Sequence, residues 1–279
     1  IGNLNMMRLL GLMGRRVEAL AQYTAFHHAL AVQLGAEPGM ETTTLYQQLR
    51  REEAGTDAGN LPASLAPLIG RKQELDDLWG MLRDSKHRLI CVLGPGGSGK
   101  TRLAMEAAQR QRYYFRDGVY FVQLSALVAR SSLMAAIAEG LGFTFRESEK
   151  PKKQLLDYLR YKRMLLILDS FETVIESAGL VAEILSVSEG SKALVTSRAR
   201  LNLSGEHVFP LEGMCVPLPN AKDEILNYSS VELFLEASWR VKPGYQPENL
   251  EQVAHICRLV EGMPLSLLLA STWVTDFSA

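Results

Sequence analysis

Cysteine is scarce. The 279 residues hold three, Cys91, Cys215 and Cys257, far apart, with no CxxC pair and no histidine cluster beside them. That argues against a disulfide framework and a zinc site, and it favours reduced and mostly buried thiols in a cytoplasmic protein. An excess of one charge is also lacking. Thirty Lys and Arg stand against 31 Asp and Glu, a formal net charge of −1, so the whole-chain balance points neither to nucleic acid nor to an anionic membrane. Long apolar runs are missing too. The longest uncharged stretch near the C-terminus, residues 262–275, is short and opens with Gly and Pro, so it predicts a core helix rather than a membrane span. No N-K-x-D motif is present, which disfavours a guanine-reading GTPase. The first residues, IGNLNMMRLL, run straight into a helical pattern and do not form a signal peptide. A chain that opens on Ile in mid-pattern reads as a piece of a longer protein.

What remains is an ordinary globular composition, 47% apolar and 22% charged, with length for one large or two small domains. Residues 3–53 are helical by pattern. One apolar stripe holds Leu4, Leu9, Leu10, Leu12 and Met13. A second holds Val17, Leu20, Ala21, Tyr23, Ala25, Leu30 and Leu34, and it stops at Gly35 with Pro38 beyond. A third helix is predicted over 41–53. Gly14, Ala19 and Tyr23 match the small, small, aromatic spacing of tetratricopeptide-type (TPR-like) hairpins. Residues 54–66 lack periodicity and read as a linker.

Strands and helices then alternate. Apolar runs at 88–93, 118–123, 163–168, 192–196 and 206–210 predict strands buried on both faces. Helical patterns lie at 99–112, 131–141, 151–161 and 179–187. The fold class expected is therefore α/β, a five-stranded parallel P-loop sheet in a domain over 67–227. After residue 228 only helical pattern remains (229–240, 248–259, 262–275), which predicts a small helical subdomain over 228–279. The TPR-like segment occupies 1–53.

The chemistry concentrates at Gly94-Pro95-Gly96-Gly97-Ser98-Gly99-Lys100-Thr101, which fits G-x-x-x-x-G-K-[ST] directly after a strand and at the start of a helix. Glycines there let backbone N–H groups converge on phosphate oxygens, and the helix N-terminus adds its dipole. Lys100 is placed to reach the β- and γ-phosphates of ATP or ADP, and Thr101 to hold Mg²⁺. With Arg102 behind it, this segment is the candidate nucleotide cradle. The second Mg²⁺ ligand expected is Asp169, where the run Met164 to Leu168 leaves the core. Position 170 is Ser rather than an acid, so Glu172 is the nearest candidate for the base, or else a first-turn acid of a helix. Arg198, at the carboxyl end of the fourth strand, is placed to sense a γ-phosphate or stands solvated.

These motifs, in this order, with EGMPLSL at 261–267, resemble the signal-transduction ATPases with numerous domains (STAND), the clan of NB-ARC and AP-ATPase switches. The segment LIGRKQEL (68–75) resembles the Gly-Arg segment before their nucleotide domain. The resemblance implies that Ile69 and Arg71 border the adenine, that Arg198 is the sensor arginine, and that Pro264 packs on the nucleotide from the helical subdomain. Residues 8–49 resemble the end of the bacterial transcriptional activator domain, which implies contact with DNA only through a domain absent from this chain.

The function expected is a regulatory switch that binds ATP or ADP, hydrolyses ATP slowly and changes shape with the nucleotide. Self-association on activation belongs to that expectation, and contact with a membrane does not. The alternative is an ATP-driven motor of the AAA+ type. Elsewhere, the basic stretch from Lys150 to Arg163 reads as a solvated helix face, and His27-His28 lacks further ligands nearby. Trp79, Trp239 and Trp273 read as core or subdomain-contact residues.

Overall fold

The computed structural model describes the chain apart from residues 1, 14, 35, 37, 55–58, 64–65, 126–131, 148, 220–223 and 276–279. The chain divides into two compact units, Ile1–Ala58 with Tyr113–Gly118, and Gly59–Arg112 with Val119–Ala279.

The first unit contains α1 (Gly2–Leu12), α2 (Arg16–Leu34) and α3 (Met40–Ala54). Its core is small: Met7, Leu10, Ala19 and Leu49, with Leu20, Tyr23, Leu45 and Tyr46 against them. The Tyr23 and Tyr46 rings stack with centroids 4.0 Å apart. The expected stripes correspond to this core only in part. Leu9, Met13, Ala21 and Ala25 are exposed, because Met7 and Leu10, three apart, define the inward face of α1 while Leu9 and Met13, four apart, share another. Gly14 and Gly35 lie outside the described residues.

The second unit opens with Gly59 and Asn60, inside the stretch expected as a linker, and Asn60 ties that stretch to the sheet. Its side chain accepts from the Phe121 N–H at 2.6 Å and donates to the Phe121 carbonyl at 2.9 Å. Then follow α4 (Lys72–Arg83), β1 (Leu89–Leu93), α5 (Lys100–Gln111), β2 (Val119–Gln123), α6 (Leu133–Gly140), α7 (Pro151–Leu159), β3 (Leu165–Asp169), α8 (Gly179–Val187), β4 (Lys192–Ser197) and β5 (Glu206–Pro210). The five strands form one parallel sheet in the order β2-β3-β4-β1-β5. The expected helix over 131–141 is α6, and Ser131 lies outside the described residues.

This order explains the near-continuous apolar strands. Leu89 and Cys91 join Leu155, Leu159, Ile184 and Leu185 in the core beneath α6, α7 and α8. Strand alternation turns Ile90 and Val92 to the opposite face, where α5 packs across β1, β3 and β4 with α4 beside it. Each fully buried Leu or Ile contributes about 2 kcal/mol.

Three helices complete the unit: α9 (Ser229–Val241), α10 (Leu250–Leu259) and α11 (Pro264–Ser271). Val231, Phe234, Val253, Ala254, Cys257 and Leu267 form their shared core. Residues 262–275 are not a helix buried all round. They form α11 and a short 3-10 turn, with Leu265, Leu268 and Leu269 exposed. Trp239 and Trp273 are exposed as well, which excludes the core half of the core-or-subdomain-contact role expected of them, and Trp79 is half-buried. The inward face of α9 is taken by Val231, Phe234, Ala237 and Ser238. Among the described residues, no helix is long and apolar enough to cross a membrane. The basic stretch is paired with acids: Lys152 with Glu183, Lys153 with Glu149 and Arg160 with Asp157.

Candidate functional site

β1 has β4 on one side and β5 on the other, so the chain winds in opposite directions from its two edges. Ligand crevices of open α/β sheets lie at the carboxyl ends of strands around such a switch point. The loop from Gly94 to Gly99 leaves β1 there, and α5 begins at Lys100. The Gly94 N–H donates to the Ser197 carbonyl at 3.2 Å, tying the loop to the end of β4. The Lys100 ammonium donates to the Gly94 and Pro95 carbonyls at 2.9 and 2.8 Å. Burial is the chief cause that lowers its pKa, and the nearby Glu172 charge opposes that shift.

Parallel register brings Asp169 to the same edge. Its carboxylate is buried, and its Oδ1 accepts from the Thr101 hydroxyl at 2.5 Å and the Thr196 hydroxyl at 2.7 Å. Thr196 accepts in turn from the Ser170 N–H at 3.0 Å. Ser170 has φ of 62°, a costly conformation for a residue with a side chain, and the structure holds it immediately beside the carboxylate.

Beyond Ser170, the Glu172 carboxylate meets one residue twice: it accepts from the Arg198 backbone N–H at 3.3 Å and forms an ion pair with the Arg198 Nε at 3.2 Å. A Cβ placed on Gly96 would lie 3.0 Å from Arg198 Nη2, so the guanidinium rests on the phosphate loop.

A cavity of about 470 Å³ opens between the α/β part and the helices α9 and α11, within the range of small-ligand pockets. Its floor is the loop from Gly97 to Arg102, and Ile69, Arg71 and Pro264 form walls. Of the expected site residues, Gly94, Pro95, Gly96, Asp169, Glu172 and Arg198 are not in this lining. Asp169 reaches it through Thr101, and Arg198 reaches the loop at Gly96. Arg71 is buried in a left-handed conformation, φ 58°. Its guanidinium donates to the Glu74 carboxylate at 2.6 Å and to the carbonyls of Ser98 and Glu212. The arginine thus braces the loop as well as the wall. Leu265, just after Pro264, donates its N–H to the Gly97 carbonyl at 3.2 Å.

Sequence reasoning missed Thr196, Met214, Leu233 and Arg240. Thr196 sits one residue before the Ser197-Arg198 pair and could have been read as an inward polar residue at a strand end. Met214, Leu233 and Arg240 line the cavity from β5's exit and from α9, and no local pattern marks them.

Sheet order, phosphate loop and strand-end carboxylate together define a P-loop nucleotide-binding domain. The comparisons agree and refine the class. The NB-ARC domain model matches residues 71–215, and the bacterial transcriptional activator domain model matches residues 4–50. The chain belongs to the NB-ARC domain family, which implies nucleotide binding. It is similar to the regulatory protein AfsR of Streptomyces griseus, 30% identical over 230 residues, covering 72% of this chain and 23% of that protein. It is also similar to a Mycobacterium tuberculosis protein named as an HTH-type transcriptional regulator, 31% identical over 197 residues, 70% of this chain and 21% of that one. The chain thus matches less than a quarter of the length of either regulator. A STAND protein with a tetratricopeptide repeat sensor from Pyrococcus horikoshii aligns with a TM-score of 0.49 and 18% identity, over 76% of this chain and 30% of that one.

Proposed function

We propose that this chain is the nucleotide-dependent switch module of a transcriptional regulator, binding ATP or ADP with Mg²⁺ at the Gly94–Arg102 loop. The single observation that carries the reading is the continuity from Lys100 and Thr101, through the cavity, to Pro264 on α11. A ligand on the loop touches both the sheet and the helices, so its presence and charge bias how the two are arranged. In this reading Ile69 and the Arg71 wall flank the base, while Pro264 packs on the nucleotide. Domain limits of 1–53, 67–227 and 228–279 around a linker at 54–66 go with it. So do a cytoplasmic location, self-association on activation, and DNA contact by a segment outside these residues.

The donor set suits Mg²⁺. A hydroxyl and a carboxylate 2.5 Å apart are hard oxygen ligands beside the phosphate cradle, and Thr101 and Asp169 would hold the ion, which neutralises charge between the outer phosphates. Lys100 would exchange its two loop carbonyls for phosphate oxygens. Backbone N–H groups from Gly97 to Thr101 would orient the phosphates at the start of α5. Ser170 carries no charge with which to activate water, which fits slow hydrolysis that resets the switch.

The test is to purify the chain without added nucleotide, denature it, and identify any released nucleotide by chromatography. A turnover rate with Mg²⁺ and ATP follows on the same sample. Tightly held ADP with turnover well below one per minute supports the switch. An empty site with fast, concentration-dependent hydrolysis overturns it in favour of an assembling motor.

A further inference from the structure

Glu172 and Arg198 form an ion pair whose two members are held very differently. Glu172 belongs to the 3-10 stretch Phe171–Ser177, which is anchored by the fully buried Phe171 and by the Thr173 hydroxyl donating to the Leu124 carbonyl at 3.3 Å. Its side chain is 25% exposed, against 66% for Arg198. Arg198 follows the last residue of β4 and reaches back, so its guanidinium is the movable partner. In this position it lies against Gly96 of the phosphate loop. The carboxylate holds it both at the backbone N–H and at Nε.

Resting on the nucleotide reading above, we infer that Glu172 competes with the terminal phosphate for Arg198, and that this competition sets how the site distinguishes a triphosphate from a diphosphate. A half-exposed carboxylate pair is worth little, so a phosphate oxygen offering charge-assisted hydrogen bonds can draw the guanidinium away. With a diphosphate, the loop amides and Lys100 already serve the terminal phosphate, and Arg198 stays on Glu172. The penalty therefore falls on ATP alone, and specificity is that difference. The same exchange explains the expectation of a base at this position. A carboxylate occupied by Arg198 is available to polarise water only after the arginine leaves, so Glu172 is a positioning residue first.

The experiment measures ATP and ADP affinities by titration calorimetry for the full chain, Glu172→Gln, Arg198→Met and the double variant. Glutamine keeps an acceptor for the Arg198 N–H while removing the charge, and a thermal melt of each variant checks folding. Glu172→Gln is expected to tighten ATP relative to ADP about two- to fivefold, the strength of a screened ion pair. Arg198→Met is expected to abolish the difference, and adding Glu172→Gln to it is expected to change nothing further. An unchanged ATP-to-ADP ratio in Glu172→Gln overturns the inference, as does an equal effect in the Arg198→Met background. Failure of the unaltered chain to bind either nucleotide overturns instead the reading on which it rests.

Discussion

The N–H of Leu265 donates to the carbonyl of Gly97 at 3.2 Å, so the helical part of the second unit is bonded directly to the phosphate loop. Gly97 has φ of 81°, and a Cβ there would meet the Leu265 Cβ at 2.9 Å. Gly97→Ala therefore incurs two costs, the left-handed conformation, about 1 kcal/mol, and displacement of α11. Gly142, with φ of 65° and open space around its missing Cβ, isolates the first. Both alanine variants should melt earlier, but only Gly97→Ala should lose nucleotide affinity, by about tenfold or more. Equal affinities in the two would show that the contact with Leu265 has no part in binding.

Arg102 lines the cavity, yet its buried Nη2 has no hydrogen-bond partner among the described residues. A buried donor left unpaired costs about 1–3 kcal/mol. Arg102→Met keeps the apolar stem and removes that cost, so the nucleotide-free melting temperature should stay level or rise. The melting shift produced by ADP or ATP should shrink, with affinity down about tenfold. A lower melting temperature without nucleotide, together with unchanged affinity, would mark the arginine as a packing residue only.

Asp169→Asn preserves shape and an acceptor for the Thr101 and Thr196 hydroxyls while removing the charge that faces a divalent cation. Binding in EDTA should change little, whereas the gain in ATP affinity on adding Mg²⁺ should fall at least about tenfold. Thr101→Ala should do the same more weakly. Retention of the full Mg²⁺ effect in both variants would remove them from the metal site.

Burial pushes the Cys91 thiol from 9.0 up to about 12. The folded state thus keeps its proton while the unfolded chain releases it. This contribution to stability is complete below pH 9 and is lost as pH rises from 9 towards 12. Denaturant titrations across that window should show a decline that is shallower in Cys91→Ala. At pH 8 a thiol reagent should label the exposed Cys215 in the native protein, and Cys91 and Cys257 only after unfolding. Rapid native labelling of Cys91 would contradict its place in an inner strand, between β4 and β5.

Much of the second unit was legible because its signals are local. The runs that predict strands differ from β1 to β5 by only a residue or two at their ends, since strands buried on both faces need apolar residues throughout. The phosphate loop was legible for a similar reason: its glycines, Lys100 and Thr101 are contiguous, and the turn they make depends on their own backbone freedom. The first unit was less legible. Apolar residues on its helices outnumber those that a small core can cover, and only packing selects Met7 and Ala19 over Leu9 and Ala21. The exposed Trp239 shows the same limit, because periodicity identifies an amphipathic helix but not which large side chain lies just off its buried face.

The amino-acid sequence by itself determined the kind of domain and the cradle, since strand runs, the glycine loop and the strand-end Asp169 are properties of contiguous residues. Tertiary structure alone decided what surrounds the cradle. Strand order carried Thr196 to Asp169, the turn after β3 put Glu172 under Arg198, and the return of α11 set Leu265 on Gly97. These pairs lie 26 to 168 residues apart in the chain, and no spacing rule links them. Hydrogen bonds and charge depend on distance in space, which the packed sheet and helices supply.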